Sequence, residues 1–227
     1  MQNQILEYKD VTLGYGQDAI LKDINISIDS GVLLPFVGPN GAGKTTIFKS
    51  MLGFIQPLKG SITRNFGQCC PGYVPQQKNL DTLYPISVRQ IIEMGLYAKT
   101  NFLGLLNKSE KDKLDETIEK LGLSEYQKKN FGELSGGLKQ KTLIARSLAG
   151  GSSIIFMDEP VAGLDAQSEE MILNLLLELN KKENKTILLI HHKLEDLSRL
   201  SNKVCLIDKQ TALFSSPREA WEQLGKR

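Results

Sequence analysis

The sequence predicts an α/β fold in which buried parallel strands alternate with helices. Three stretches carry that prediction. Residues 32–37 are an apolar run of strand length, followed by a glycine-rich segment and an apolar stretch, 46–52, that reads as a helix ending near Gly53. Residues 154–157 are apolar and lead into two carboxylates, Asp158 and Glu159, and residues 186–190 form another apolar run. Continuous apolar strands belong to sheets covered on both faces, and the residues at their carboxyl ends lie where such sheets bind ligands.

The glycine-rich segment is Gly38-Pro39-Asn40-Gly41-Ala42-Gly43-Lys44-Thr45-Thr46, which fits G-x-x-x-x-G-K-[ST], a phosphate-binding loop of nucleoside triphosphatases. Its glycines let the backbone wrap closely around a polyphosphate. Successive N–H groups then point inward, and the helix start adds partial positive charge. Lys44 can reach the β- and γ-phosphates, and Thr45 can ligate Mg²⁺.

Bulk properties narrow the class. The chain has 227 residues, 41% hydrophobic and 24% charged, an ordinary composition for a globular domain. A net charge of +2 is too small to argue for nucleic acid. No signal-peptide pattern opens the chain and no apolar run reaches membrane-spanning length, so the expected location is cytoplasmic, with any membrane spans supplied by other chains. Cys69, Cys70 and Cys205 make neither a disulfide framework nor a zinc spacing. Cys69-Cys70 is either a redox or metal pair or simply two small thiols in or near the core.

Taken in order, residues 5–13 and 20–28 alternate apolar and polar residues, as the strands of a half-buried hairpin do, with a turn at 14–18 between them. Tyr15 in that turn can stack on a base or lie on the surface. Residues 61–63 form a short strand. Residues 73–76 read as a strand ending in Gln76, whose amide can meet a metal ion or the attacking water. From about 81 to 132 the pattern turns helical. Ser87 can cap a helix over 88–94, and Ser109 to Asp112 approximates a capping box for a second helix ended by Gly122. The apolar residues of this insert pack either internally or against a partner.

Leu134-Ser135-Gly136-Gly137 opens a helix over 138–148 and forms a second anion site by the same physics as the first. One domain has no use for two such sites on one nucleotide, whereas two copies could each close the other's pocket. Asp158 would hold Mg²⁺ through water, and Glu159 could position or deprotonate the attacking water. Met171, Ile172, Leu175, Leu176 and Leu179 form a core stripe on the helix 166–181, and residues 181–185 read as a solvated connection. His191-His192 follows the strand 186–190. It could address a γ-phosphate or orient water, or be a solvated loop pair or a metal-ligand pair with no partner in sequence. Two short strands near 204–207 and 212–214 and a closing helix over 217–224 complete the chain.

In this order the motifs resemble the ATP-binding cassette (ABC) ATPases over nearly the whole chain. The resemblance implies a P-loop NTPase core with a mixed sheet, an N-terminal antiparallel β subdomain, and an inserted helical subdomain near 81–132, all within one domain spanning 1–227. It implies ATP and Mg²⁺ as cofactors. It casts Tyr15 as the adenine-stacking aromatic, Gly38 to Thr46 as the phosphate loop and Ser135-Gly136-Gly137 as the family signature. Gln76 becomes the Q-loop glutamine, Asp158 the Mg-binding acid, Glu159 the catalytic glutamate, Leu164-Asp165 the D-loop and His192 the switch histidine. Two copies would sandwich two ATP molecules head to tail, with Ser135 and Gly137 of one copy facing the γ-phosphate held by Lys44 of the other. The chain departs from the usual pattern at Leu138 (Gln), Lys141 (Arg), His191 (Thr) and Lys193 (Asp). Leu138 removes a polar side chain near the shared pocket, so slower or more partner-dependent hydrolysis is expected.

Residues 73–76, 84–88 and 94–95, with 160–165, are similar to the ATPase subunits of zinc and manganese importers. The implied function is ATP-driven dimer closure that energises transport through membrane permease subunits contacted by the helical subdomain, with a substrate-binding protein engaged only indirectly. The alternative from another class is a soluble ABC ATPase of an assembly system, such as iron–sulfur cluster scaffolding.

Overall fold

The computed structural model describes residues 4–67, 70–76, 85–100, 105–208 and 210–224. The alternating segments at the start form a long antiparallel hairpin, β1 (Gln4–Tyr15) and β2 (Asp18–Asp29), paired from Gln4↔Asp29 to Tyr15↔Asp18. Its apolar positions, among them Leu6, Tyr8, Val11, Leu21, Ile24 and Ile26, are buried. β3 (Leu33–Val37) is buried throughout and leads through the glycine-rich loop into α1 (Lys44–Met51). β4 (Lys59–Arg64) then joins the free side of β1, giving the sheet order β2-β1-β4.

This small sheet is bolted to the end of α1. The Tyr8 hydroxyl and Ser50 Oγ share a hydrogen bond of 2.8 Å, and the Arg64 guanidinium donates to the Ser50 and Met51 carbonyls at 2.5 and 3.0 Å. The Ser50 carbonyl also accepts the Gly53 N–H at 3.1 Å, and the Arg64 charge suits the helix dipole at this C-terminus. Burial holds the Tyr8 phenol well above its ordinary pKa, which keeps it neutral.

The rest of the chain builds a second sheet. β5 (Gly72–Val74) is followed by α2 (Val88–Glu93), a 3-10 turn (Met94–Lys99), α3 (Lys108–Lys120) and α4 (Gly136–Ala149). Then come β6 (Ile154–Asp158), α5 (Ala166–Glu183), β7 (Thr186–Ile190), α6 (Leu197–Leu200), β8 (Val204–Asp208), β9 (Thr211–Ser215) and α7 (Pro217–Leu224). The six strands run in the order β5-β6-β7-β3-β8-β9, parallel except for the β8–β9 hairpin. This is the expected α/β fold with a mixed sheet and a separate antiparallel sheet.

The two-residue period of the strands divides the core. Ile155, Met157, Ile187 and Leu189 pack with α4, α5 and the inserted helices on one face. Ile154, Phe156, Leu188 and Ile190 pack with α1 and the hairpin on the other. There Phe48 meets Phe36 and Phe156 edge to face, with ring centroids 5.1 and 5.5 Å apart.

Three local expectations are corrected. The α3 capping box is Asn107 with Glu110, because only Asn107 stands at the register where its side chain meets the Glu110 N–H (3.0 Å) and Glu110 returns to the Asn107 N–H (2.9 Å). Residues 181–185 are not a free connection: α5 continues to Glu183, Asn184 caps it in the left-handed region, and the Lys185 ammonium donates to the Ser152 carbonyl at 2.9 Å. On α5, Leu173 is buried with Ile172, Leu176 and Leu179, while Met171 and Leu175 pack at the edge of the core. The expected start of the insert at 81, with Tyr84 and Cys69, lies outside the described residues.

Candidate active site

Strand register assembles the site. Ile190 pairs with both Phe36 and Asp158, and Val74 pairs with Met157. The residues at and just beyond these positions therefore emerge along one sheet edge: Gly38 after β3, Asp158 at the end of β6 with Glu159 after it, Gln76 after β5, and His191 and His192 after β7. Parallel strands make this possible, because all their carboxyl ends point the same way.

The phosphate loop depends on its glycines. A Cβ at Gly38 would lie 2.2 Å from the Ile207 carbonyl oxygen, a backbone atom of β8 that cannot swing aside. Gly43 caps α1 at φ +99°, and a Cβ there would press on Ile20 and Leu21 of β2 at about 3.1 and 3.0 Å. That close approach sets the hairpin beside the loop, and Tyr15, half exposed at the hairpin's end, stands on this flank. The Lys44 ammonium is buried and donates to the Gly38 and Pro39 carbonyls at 2.8 Å each. Burial lowers its pKa, and the carboxylates of Glu159 and Asp158 oppose the shift. Thr45 is exposed, while Thr46 is buried behind it. A desolvated cation at a helix N-terminus, in a loop shaped by glycine, suits a polyphosphate.

Beside it three side chains converge. Gln76 Nε2 donates to Glu159 Oε2 at 2.7 Å, and His192 Nε2 contacts Glu159 Oε1. Glu159 stands in the left-handed region at φ +51°, which turns its carboxylate away from the strand direction. Asp158 has its pKa raised, first by burial and then by Glu159. A carboxylate displaced in that direction favours a counter-cation.

Ser135, Gly136 and Gly137 stand elsewhere. They open α4, where Ser135 is the N-cap and its hydroxyl accepts the Leu138 N–H at 3.4 Å. Gly137 is buried against α5: a Cβ there would lie 2.6 Å from Ser168 Oγ. α4 covers the sheet face opposite α1, so the chain does not bring its two glycine-flanked helix starts into one pocket. Leu138, read from sequence as a lost polar group, packs against the helical core.

His191 is not part of a solvated loop. Its ring is 2% exposed, and Nε2 lies 3.0 Å from Asp196 Oδ2. Asp196, and Glu169 which contacts Lys193, are site neighbours that sequence reasoning missed. Neither belongs to a motif, and only folding brings them near. Cys70 is exposed, with its carbonyl accepting the Ser152 hydroxyl at 2.6 Å; buried Cys205 has its thiol pushed up to about 12 by desolvation.

Residues 21–162 match the ABC transporter family model. The chain belongs to that family. It is similar to the manganese transport system ATP-binding protein MntB of Bacillus subtilis (strain 168), with 36% identity over 92% of this chain and 85% of that one. The zinc transport system ATP-binding protein TroB of Treponema pallidum (strain Nichols) is 35% identical over 89% of this chain and 78% of its own. Among solved structures, a metal-chelate type ABC transporter in an inward-facing conformation superposes with a TM-score of 0.88 at 27% identity, covering 99% of this chain and 90% of that one. The chain is thus an ABC ATP-binding cassette, a nucleotide-binding ATPase coupled to transport.

The cassette carries a further surface feature. A groove of about 450 Å³ runs between β5 and the inserted helices, lined by Tyr73, Met94, Ala98, Lys99 and Arg146 among others. Met94 and Tyr73 are exposed there, and nearby Tyr97 is 76% exposed. Arg146 donates to the Tyr73 carbonyl at 3.3 Å, and burial lowers its pKa. Among the described residues that line the groove, both charged ones are cations. No described helix is long and apolar enough to cross a membrane.

Proposed function

We propose that this cassette energises import of a divalent metal ion, manganese or zinc, by binding and hydrolysing Mg·ATP between two copies of the chain. The convergence of Gln76 and His192 on the Glu159 carboxylate, beside Lys44 and Asp158, is the observation that carries the catalytic part. Tyr15 would stack on adenine, residues 38–46 would cradle the phosphates, and Thr45, Gln76 and Asp158 would hold Mg²⁺. That ion would supply charge neutralisation at the phosphates. Glu159 would accept a proton from water or orient it, Gln76 would hold the carboxylate on one oxygen, and His192 would hold it on the other.

Ser135-Gly136-Gly137 would complete the partner's pocket, because within one chain it faces away from the phosphate loop's layer. The helical insert, near 81–132, would dock membrane permease subunits through the groove at Tyr73, Met94 and Arg146. The cassette would then sit on the inner face of the cell membrane without spanning it, and would meet a substrate-binding protein only indirectly. The metal assignment rests on the names of the manganese and zinc relatives.

The test is transport. The tagged chain is purified from its native membranes, and the complex is reconstituted in liposomes loaded with ATP and Mg²⁺. ATP-dependent uptake of ⁵⁴Mn²⁺ or ⁶⁵Zn²⁺ is expected, and its loss in Lys44→Ala. A complex that hydrolyses ATP but moves neither ion refutes the metal reading. A chain that brings down no membrane subunit refutes the coupling.

A further inference from the structure

The residues on either side of His192 are tied down independently. His191 donates its backbone N–H to the Phe36 carbonyl at 3.1 Å, one step past the end of β7. Its buried ring contacts Asp196 on the following 3-10 turn. Lys193 contacts Glu169 Oε2, a carboxylate one turn into α5 that is only 8% exposed. The other oxygen of Glu169 is buried, with no hydrogen-bond partner among the described residues. The chain leaving β7 therefore grips Asp196 and α5 with His191 and Lys193, while His192 between them addresses Glu159. Neighbouring side chains of an extended segment point to opposite sides, which explains this alternation.

His192 itself is 36% exposed at its side chain, and an exposed imidazole on a short connection has several rotamers open to it. Its hold on Glu159 needs a backbone that does not drift. Farther along, Arg199 donates to Glu170 at 2.5 and 2.6 Å and to Asn174 at 2.6 Å, extending the same seam along α5. α5 begins directly after Asp165, its N-cap, and residues 161–164 line a small cavity with His191, His192 and Lys193.

We propose that His191 and Lys193 are positioning residues that aim His192 at Glu159, and that the Lys193–Glu169 contact locks the histidine connection to the start of α5, so that residues 160–165 and His192 shift together. The proposal rests on the ATPase reading of this site. It makes the geometry of Glu159 dependent on a carboxylate, Glu169, that touches no reacting atom.

A double-mutant cycle on the complex purified with the tagged chain tests it. Lys193→Met and Glu169→Gln, singly and together, are compared by steady-state ATP hydrolysis. Each single variant is expected to lower kcat about tenfold with KM for ATP within about twofold, and the double variant to be no worse than either, since both remove one contact. Lys193 is 59% exposed at its side chain, so Lys193→Met should fold, and thermal unfolding reports that directly. Multiplicative losses in the double variant overturn the proposal. So does an unchanged kcat with a lowered Tm. For His191, the pair His191→Gln and His191→Val separates positioning from packing. Gln, whose amide nitrogen reaches the place of Nε2, keeps a donor for Asp196 and should retain most of kcat, whereas Val should lose about tenfold. Equal behaviour of the two removes His191 from the device. A wild-type complex, with its membrane subunits, that shows no ATPase would instead refute the catalytic reading.

Discussion

Two helices of this cassette start at glycine-flanked turns, and they differ in what surrounds them. α1 begins inside a site already furnished by its own chain. Lys44, Asp158, Glu159, Gln76 and His192 gather there because strand register brings the ends of β3, β5, β6 and β7 to one edge. α4 begins on the other face of the sheet, capped by Ser135, with Gly137 pressed into α5. The first start is a site that needs a ligand. The second is a helix terminus capped by Ser135, with none of those five side chains beside it, and the use proposed for it lies in a second copy's pocket. The same motif physics therefore has two uses, and the layer a helix occupies decides which.

The comparison breaks most readily at Gly38. Gly38→Ala places a Cβ against the Ile207 carbonyl, so the loop must move. Nucleotide affinity should fall about a hundredfold, or about 2.8 kcal/mol at 1.4 kcal/mol per decade, by titration with a fluorescent ATP analogue. Gly41 at φ +79° faces open space. Gly41→Ala should cost only its left-handed strain, about 1–2 kcal/mol. Equal losses for the two would mean that the contact with β8 does not shape the loop.

The second start should respond differently. Ser135→Glu sets a carboxylate where a partner's phosphate would come. ATP-driven dimerisation, followed by light scattering, should fall about tenfold while nucleotide affinity of the dilute monomer stays within about twofold. If Ser135→Glu weakened monomer binding as Gly38→Ala does, both starts would serve one pocket and the contrast would be lost.

The smallest expected effect concerns pH. Burial lowers the pKa of His191, with Asp196 opposing. Its folded pKa then lies below its unfolded value, so the unfolded chain takes up the proton first as pH falls. The stability contributed by the neutral ring is complete above the ordinary histidine range and is lost on acidification below it. Between pH 7 and pH 5 the wild-type Tm should drop more than that of His191→Asn. Parallel curves would show that the buried ring does not govern acid sensitivity at the sheet edge.

Much of this was legible in residues. Apolar runs marked β3, β6 and β7, alternation marked the β1–β2 hairpin, and spacing marked the phosphate loop, because backbone geometry imposes those periods locally. The cap of α3 was misplaced by two residues, since Asn107 and Ser109 are equally good caps in isolation. Gln76, Glu159 and His192 were named as separate candidates from separate strand ends. Their meeting on one carboxylate was decided by the pairing of Val74 with Met157 and of Asp158 with Ile190. Leu138 packs at the edge of the helical core and the His191 ring is buried, and neither is legible locally, because burial depends on neighbours remote in sequence. The sequence by itself determined which side chains can carry phosphate chemistry and on which element each rides. Only the tertiary structure decided that Glu169 and Asp196 brace the segment holding His192, and that the two helix starts lie on opposite faces of one sheet. Local chemistry is written residue by residue, whereas proximity follows from strand order and packing.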